Sequence, residues 1–298
     1  RAAGMEYCLT QLTMALYYAL VVLGLCLVTG HAGQVSLGHA AFFGIGAYTA
    51  ALLTTRGELS FWAALPLVLL ITATAGLLLG LPSLRVREDF LAITTIGINF
   101  IVESLFLYVS FFGGALGIGN IPRIVLFGER LKGPTFLALC LFFLALALLI
   151  SWGFTRSWAG LACFALRDDE GAAASMGVSP VRFKLLAFVL GTTFAGLGGA
   201  LYAHHMRFVS ASDFGFPVSV MLLSMVVLGG MGSLWGPVLG ALILGVLPEI
   251  FRPLTEYRLL LYATLLLLMI RFQPGGLLGP GSLARKLFSF RRKGGEVS

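Results

Sequence analysis

The chain has 298 residues, 58% of them hydrophobic and 11% charged, with a mean hydropathy of +0.96. Ordinary soluble domains carry roughly 25% charged residues, so this composition excludes a soluble enzyme, a disordered chain and a nucleic-acid binder. It fits an all-α polytopic membrane protein, and the net charge of +7 then belongs to basic loops and a basic tail at a membrane surface.

A spanning helix needs about 20 apolar residues. No Asp, Glu, Lys or Arg interrupts Tyr7–Thr55 or Phe214–Pro248, and both runs are too long for one pass. Cutting the uncharged runs at Gly, Pro and charge predicts about nine helices, over 8–29, 38–54, 61–82, 90–112, 134–154, 184–206, 217–234, 235–251 and 257–271. Gly30–Leu37 and Gly229–Gly236 are predicted broken or re-entrant segments. Gly76 and Gly80, and the series Gly232, Gly236 and Gly240, recur at four-residue spacing, which puts each set on one helix face. Ordinary close packing and a moving seam between helices are the two readings of such a face. The Gly-punctuated entries at Gly33–Gly38 and Gly232–Gly236 also echo one another loosely, as inverted repeats in transporters do.

With nine passes, 12 of the 20 Lys and Arg residues fall on one side, in the loops around 85–87 and 156–184 and in the C-terminal tail. That side is expected to be cytoplasmic, with the N-terminus outside and the C-terminus inside. The whole of 1–298 forms a single transmembrane domain ending in a basic cytoplasmic tail over 272–298. In that tail Leu283, Leu287 and Phe288 interleave with Arg285, Lys286 and Arg291, as in a segment lying on anionic lipid; a solvated tail is the alternative.

The longest loop, near 155–184, contains a predicted short helix over 165–177. Asp168 is placed to cap it, and Asp169 and Glu170 fall in its first turn, at the positive end of the helix dipole. Ala172–Ala174 favour helix, Gly177 suits the position after the last turn, and Pro180 blocks simple continuation. The segment is either a plain connector or a docking knob for a soluble partner.

Ionisable groups inside a membrane are costly and are functional candidates by default. Glu103 is predicted mid-span, with Asn99 one turn earlier on the same face. It is either paired or protonated at a helix contact, or on a translocation path. His39 follows the Gly33–Gly38 break, with Gln34 and Ser36 nearby. It is either a hydrogen-bonded structural residue or part of a broken segment that exposes backbone to substrate. His204 and His205 are expected at the outer interface, and their spacing does not suit a metal. Cys8, Cys26, Cys140 and Cys163 form no CxxC pair, so no disulfide framework or metal site is expected. No GxxxxGK[ST] phosphate loop occurs, which excludes a conventional ATPase site in this chain, and with HExxH and GxSxG also absent no enzyme is expected.

Two stretches carry a family resemblance. Gly30-His31-Ala32-Gly33-Gln34-Val35-Ser36-Leu37-Gly38-His39 through Tyr48 closely resembles the signature of the LivM-type permeases, membrane subunits of ABC importers for branched-chain amino acids. Leu166-Arg167-Asp168-Asp169-Glu170 through Met176-Gly177 to Phe188, with Ala195–Tyr202, is similar to the family's cytoplasmic coupling loop and following helix. Weaker matches are Leu91–Gly97, Gly119–Pro122 and Leu228–Ser233. One departure is that Phe100 and Glu103 stand where many relatives carry Glu and Arg.

The resemblance implies a permease subunit in the bacterial inner membrane, packed as in the cobalamin-importer class. It implies a homologous sister permease, two ATP-binding subunits that hold ATP and Mg, and an extracytoplasmic substrate-binding protein, with no cofactor and no nucleic acid on this chain. Arg167, Asp168, Asp169, Glu170, Met176 and Gly177 would couple to the ATPases. Gln34, Ser36, His39, Asn99 and Glu103 would be candidates for the substrate path. A permease for urea or short amides shares these motifs and is the runner-up. An ion-coupled secondary carrier expects embedded acidic sites, for which Glu103 is the mid-span candidate, and leaves the coupling-like helix without a purpose. A structural scaffold explains neither signature.

Overall fold

The computed structural model describes residues 2–83, 88–126, 128–250 and, beyond them, 260, 263–264, 267–268, 271–272 and 275–278. In chain order its helices are α1 (Ala2–Cys26), α2 (His39–Thr55), α3 (Phe61–Ser83), α4 (Glu88–Tyr108), α5 (Pro134–Arg156), α6 (Trp158–Asp168), α7 (Glu170–Ser175), α8 (Pro180–Met206), α9 (Phe216–Gly229) and α10 (Trp235–Ile250). One small antiparallel hairpin, β1 (Val125–Leu126) with β2 (Glu129–Arg130), lies between α4 and α5.

The protein is an all-α polytopic membrane protein. Among the described residues six helical segments are long and apolar enough to cross a membrane: Glu6–His31, Phe61–Pro82, Phe90–Tyr108, Pro134–Arg156, Pro180–Met206 and Ala211–Gly229. Helix α2 has 17 residues and α10 has 16. The expected count of nine is not confirmed among the described residues. The candidate at 257–271 and the tail over 272–298 lie mostly outside the described residues.

Helix α8 is the central post, packed against α1, α2 and α3. Its buried face is built from Gly191, Gly196, Gly198, Gly199 and Ala200, which lets neighbouring backbones close in. A methyl on Gly46 of α2 would collide with the Gly196 carbonyl, and one on Gly24 of α1 with the Gly191 carbonyl. Gly76 and Gly80 of α3 meet Thr192 and Phe188 of the same post, so their shared face is a packing face. Gly236 and Gly240 abut Gly229 and Met225 of α9. Gly232 does not extend that series: its φ of +102° places it in the turn before α10.

Around Phe214 the rings of Phe43, Tyr48, Phe106 and Tyr202 gather at centroid distances of 5.1, 5.9, 6.5 and 5.6 Å. This aromatic knot fastens the 3-10 turn Ala211–Phe214 to α2, α4 and α8. The bundle has two ends. At one, Arg56 donates to the Phe111 carbonyl (2.8 Å), Trp62 to the Val125 carbonyl (3.0 Å), and the Ile118 and Val209 backbones exchange hydrogen bonds of 2.9 and 3.0 Å. At the other, the Leu277 and Leu278 amides donate to the Leu228 and Gly229 carbonyls at 2.9 and 3.1 Å.

Several boundaries differ from the sequence reading. The 155–184 loop is mostly helical: Ser157 caps α6 by accepting from the Gly160 amide (3.3 Å), and α8 already begins at Pro180. A proline in the first turn loses no intrahelical bond, so Pro180 starts a helix as well as preventing the continuation of another. The cap of α7 is Asp169, whose side chain accepts from the Ala172 amide (2.9 Å), and not Asp168, which ends α6. Helix α4 ends at Tyr108 rather than 112, and α9 ends at Gly229 rather than 234. Extended backbone at Val109 (φ −88°, ψ 117°) ends α4, and the positive φ of Gly230 ends α9.

Candidate functional site

The polar residues gather around a break between α1 and α2. Helix α1 widens into a π-helical turn at Leu27–His31, and residues 32–38 then run without helix until α2 begins at His39. A π-turn marks a local departure from the regular ladder and occurs often at functional sites. Gly33 takes φ +72°, and a side chain there would press on the Arg167 backbone and stem. Both reasons require glycine at this position.

The segment is pinned between two helices. The Leu37 amide donates to Thr95 Oγ1 of α4 (3.0 Å) and the Ala40 amide to Ser219 Oγ of α9 (3.2 Å). Ser219 donates in turn to Asn99 Oδ1 (3.4 Å), and Asn99 Nδ2 donates to the Phe214 carbonyl (3.4 Å). Thr95 is about two turns inside α4, roughly 10 Å at 1.5 Å per residue, so non-helical backbone sits well inside the bundle. Beside it, Gln34, Ser36 and His39 are buried, and their side-chain polar atoms lack hydrogen-bond partners among the described residues. His39 faces the Gly191 backbone without closing a bond to it. Buried polar atoms left unpaired cost about 1–3 kcal/mol each, so these groups call for partners beyond the described side chains.

Of the five residues expected on a path, the structure brings Gln34, Ser36, His39 and Asn99 around one break. Glu103 stands apart. It is half-buried, near the Tyr108 end of α4 rather than at mid-span, because α4 is shorter than expected. Its carboxylate lies against Gly215, where a Cβ would come within 3.0 Å of Oε1. Asn99 and Glu103 do share a face, turned toward Phe214 and Gly215. Thr95 and Ser219 were missed from the sequence. Thr95 lies inside the Leu91–Gly97 stretch, whereas nothing in the sequence distinguishes Ser219 from Ser224, the other serine of the apolar α9.

The six residues expected to couple divide by environment. The Arg167 guanidinium donates to the Gly30 carbonyl in the π-turn. It also approaches Gly232, whose own turn abuts Gly30: a Cβ on Gly30 would lie 3.2 Å from the Gly232 nitrogen. Phe164 packs on the His31 ring at 5.0 Å. Helix α6 is therefore seated on both glycine breaks. Glu170 accepts from Lys184 Nζ at 2.6 Å, which ties α7 to the first turns of α8, and Asp169 is the cap. Asp168, Met176 (86% exposed) and Gly177 are open on the surface, with Gly177 at φ +86°.

A cavity of about 330 Å³ at the opposite end is lined by Glu6, Thr13, Arg123, Lys132, His204 and His205, among others. It contains none of the expected path residues. His204 is buried within the protein near the end of α8, with Nδ1 2.8 Å from the Ala200 carbonyl and its ring 4.9 Å from that of Phe61.

Comparison with known proteins agrees with this architecture. Residues 7–270 match the family described as branched-chain amino acid transport system, permease component. The chain is 40% identical over 310 residues to the high-affinity branched-chain amino acid transport system permease protein LivM of Salmonella typhimurium, covering 96% of this chain and 73% of that one. It is also 40% identical over 291 residues to the LivM protein of Escherichia coli K12, covering 89% and 68%. A more distant relative is the LivH permease protein of the same E. coli strain, 26% identical with 90% and 92% covered. No solved structure matches the chain. With a family match over most of its length and two relatives at this identity, the chain belongs to the branched-chain amino acid transport permeases.

Proposed function

We propose that this chain is one of two homologous permeases in the inner-membrane pore of a bacterial ABC importer for branched-chain amino acids. Two ATP-binding subunits bind the end that carries α6 and α7, which faces the cytoplasm with the C-terminus, and hold ATP and Mg. An extracytoplasmic binding protein delivers substrate to the other end. The chain itself makes and breaks no bond and binds no cofactor.

The observation that carries this reading is the seat of α6–α7. A short exposed helix, α7, is capped by Asp169 and tied to α8 by the Glu170–Lys184 ion pair, and it directly follows α6, which is seated on the two glycine breaks and joined to one of them through Arg167. A push on α7 reaches the 32–38 segment through rigid contacts, and the segment's unpaired Gln34, Ser36 and His39 become available as it shifts. Apolar burial at about 0.8 kcal/mol per CH₂ favours Leu, Ile and Val over smaller substrates. The test is substrate-stimulated ATP hydrolysis by the co-expressed complex in liposomes with its binding protein. Leucine alone is expected to stimulate it. Stimulation by urea alone would replace the substrate class, and failure of any ATPase subunit to assemble with this chain would overturn the reading.

A further inference from the structure

Among the six long spans, α3, α4 and α5 are the least covered by the rest of the described chain. The outer faces of α3 and α5 are what lipid accepts. They turn Leu70 and Leu78, and Phe142 and Leu149, outward, and the exposed hydroxyl of Thr74 on α3 returns to the Leu70 carbonyl at 2.7 Å. The flank shared by α4 and α9 differs. Glu103 is half-exposed there, and Phe100, 52% exposed, stacks on Phe216 at the start of α9 with centroids 6.1 Å apart. At the foot of this flank, between Thr95 and Ser219, lies the non-helical segment 32–38, where Val35 is 46% exposed.

Neither feature is compatible with hydrocarbon. Irregular backbone at membrane depth occurs only where protein covers it or water lines it, and a carboxylate in a span faces the interior of an assembly or an aqueous gap. The permeases LivM and LivH of one E. coli strain carry the same transport-system description and both resemble this chain. A homologous second permease is thus an occupant of matching length and chemistry.

We propose that the α4–α9 flank, floored by residues 32–38, is the surface on which the homologous sister permease packs, and that it walls the substrate path, while the outer faces of α3 and α5 meet lipid. This rests on the function proposed above. The partner is expected to be apolar along this seam, with a hydrogen-bond donor, a cationic side chain or a wet gap opposite Glu103.

The test is site-directed photocrosslinking in the co-expressed complex, with a benzophenone amino acid placed at Phe100 or, as the matched control, at Phe142, which is 61% exposed on α5. Both positions accept a larger aromatic because both are exposed. Co-purification of the sister permease is measured first, with the unsubstituted chain. If no homologous permease co-purifies, the proposed function fails, and this surface with it. Where the complex forms, the adduct to the sister permease is expected at Phe100 and absent at Phe142. An adduct at Phe142 alone, lipid adducts alone at Phe100, or transfer from Phe100 to a second copy of this chain would each overturn the assignment while leaving the permease reading intact.

Discussion

Arg167 is the residue whose role changed most between sequence and structure. The motif Leu166–Glu170 reads as one docking epitope, yet within it Arg167 turns to the Gly30 carbonyl, Asp169 to the helix cap and Glu170 to Lys184. No local pattern could separate these roles, because each partner lies on another element. A hydrogen bond from a charged donor contributes about 1.5–3 kcal/mol. Arg167→Ala is therefore expected to lower transport by about an order of magnitude or more while basal ATP hydrolysis by the assembled complex persists; unchanged uptake would remove Arg167 from the coupling route. Glu103 was legible as an unusual charge in a span, and its neighbour Asn99 as its companion, but the end of α4 at Tyr108 rather than 112 moves it away from the middle. Glu103→Gln keeps the shape and removes the charge. It is expected to alter uptake kinetics without reducing the yield of assembled complex, and normal kinetics would exclude a place on the path.

Among the elements, the helices were legible because long uncharged runs leave no other structure that satisfies the backbone in lipid. Both breaks were legible from glycine clusters. That the two breaks touch, through Gly30 and Gly232, was not, since α1 and the α9–α10 turn are about 200 residues apart in the chain and one sequence carries no record of contact. The glycines of α8 show how such spacing acts. Gly191 and Gly199 spare a methyl where the Gly24 and Phe43 backbones pass, Gly196 makes room for the Thr72 side chain, and Gly46→Leu on α2 must push against the Gly196 carbonyl. Overpacking of a filled interface costs roughly 1–3 kcal/mol, and here backbone rather than a pliant side chain must yield. Detergent-solubilised Gly46→Leu protein is expected to unfold at lower temperature than the parent, whereas Gly97→Leu, with nothing within 4 Å of its Cβ, is expected to match it. Equal losses in both variants would refute the account of α8 as a glycine-fitted post.

At the scale of the molecule, the open question of physical consequence is which end faces the cytoplasm. The charge bias puts 12 of 20 basic residues on one side, but half of those twelve are Arg271 and the five basic residues of the tail, whose last residues lie outside the described structure. The fold supplies an independent handle. Leu116 and Met176 are each 86% exposed, Leu116 at the end that holds the β1–β2 hairpin and Met176 at the end that holds α7. In a Cys8→Ser background, which removes the exposed native thiol and leaves three buried ones, a membrane-impermeant maleimide applied to intact cells is expected to label Leu116→Cys. Met176→Cys is expected to react only after the membrane is opened. The opposite pattern would put α6 and α7 on the wrong side for any cytoplasmic ATPase. The Arg167 connection would then have to be reread as a contact that responds to the delivered substrate instead of to ATP.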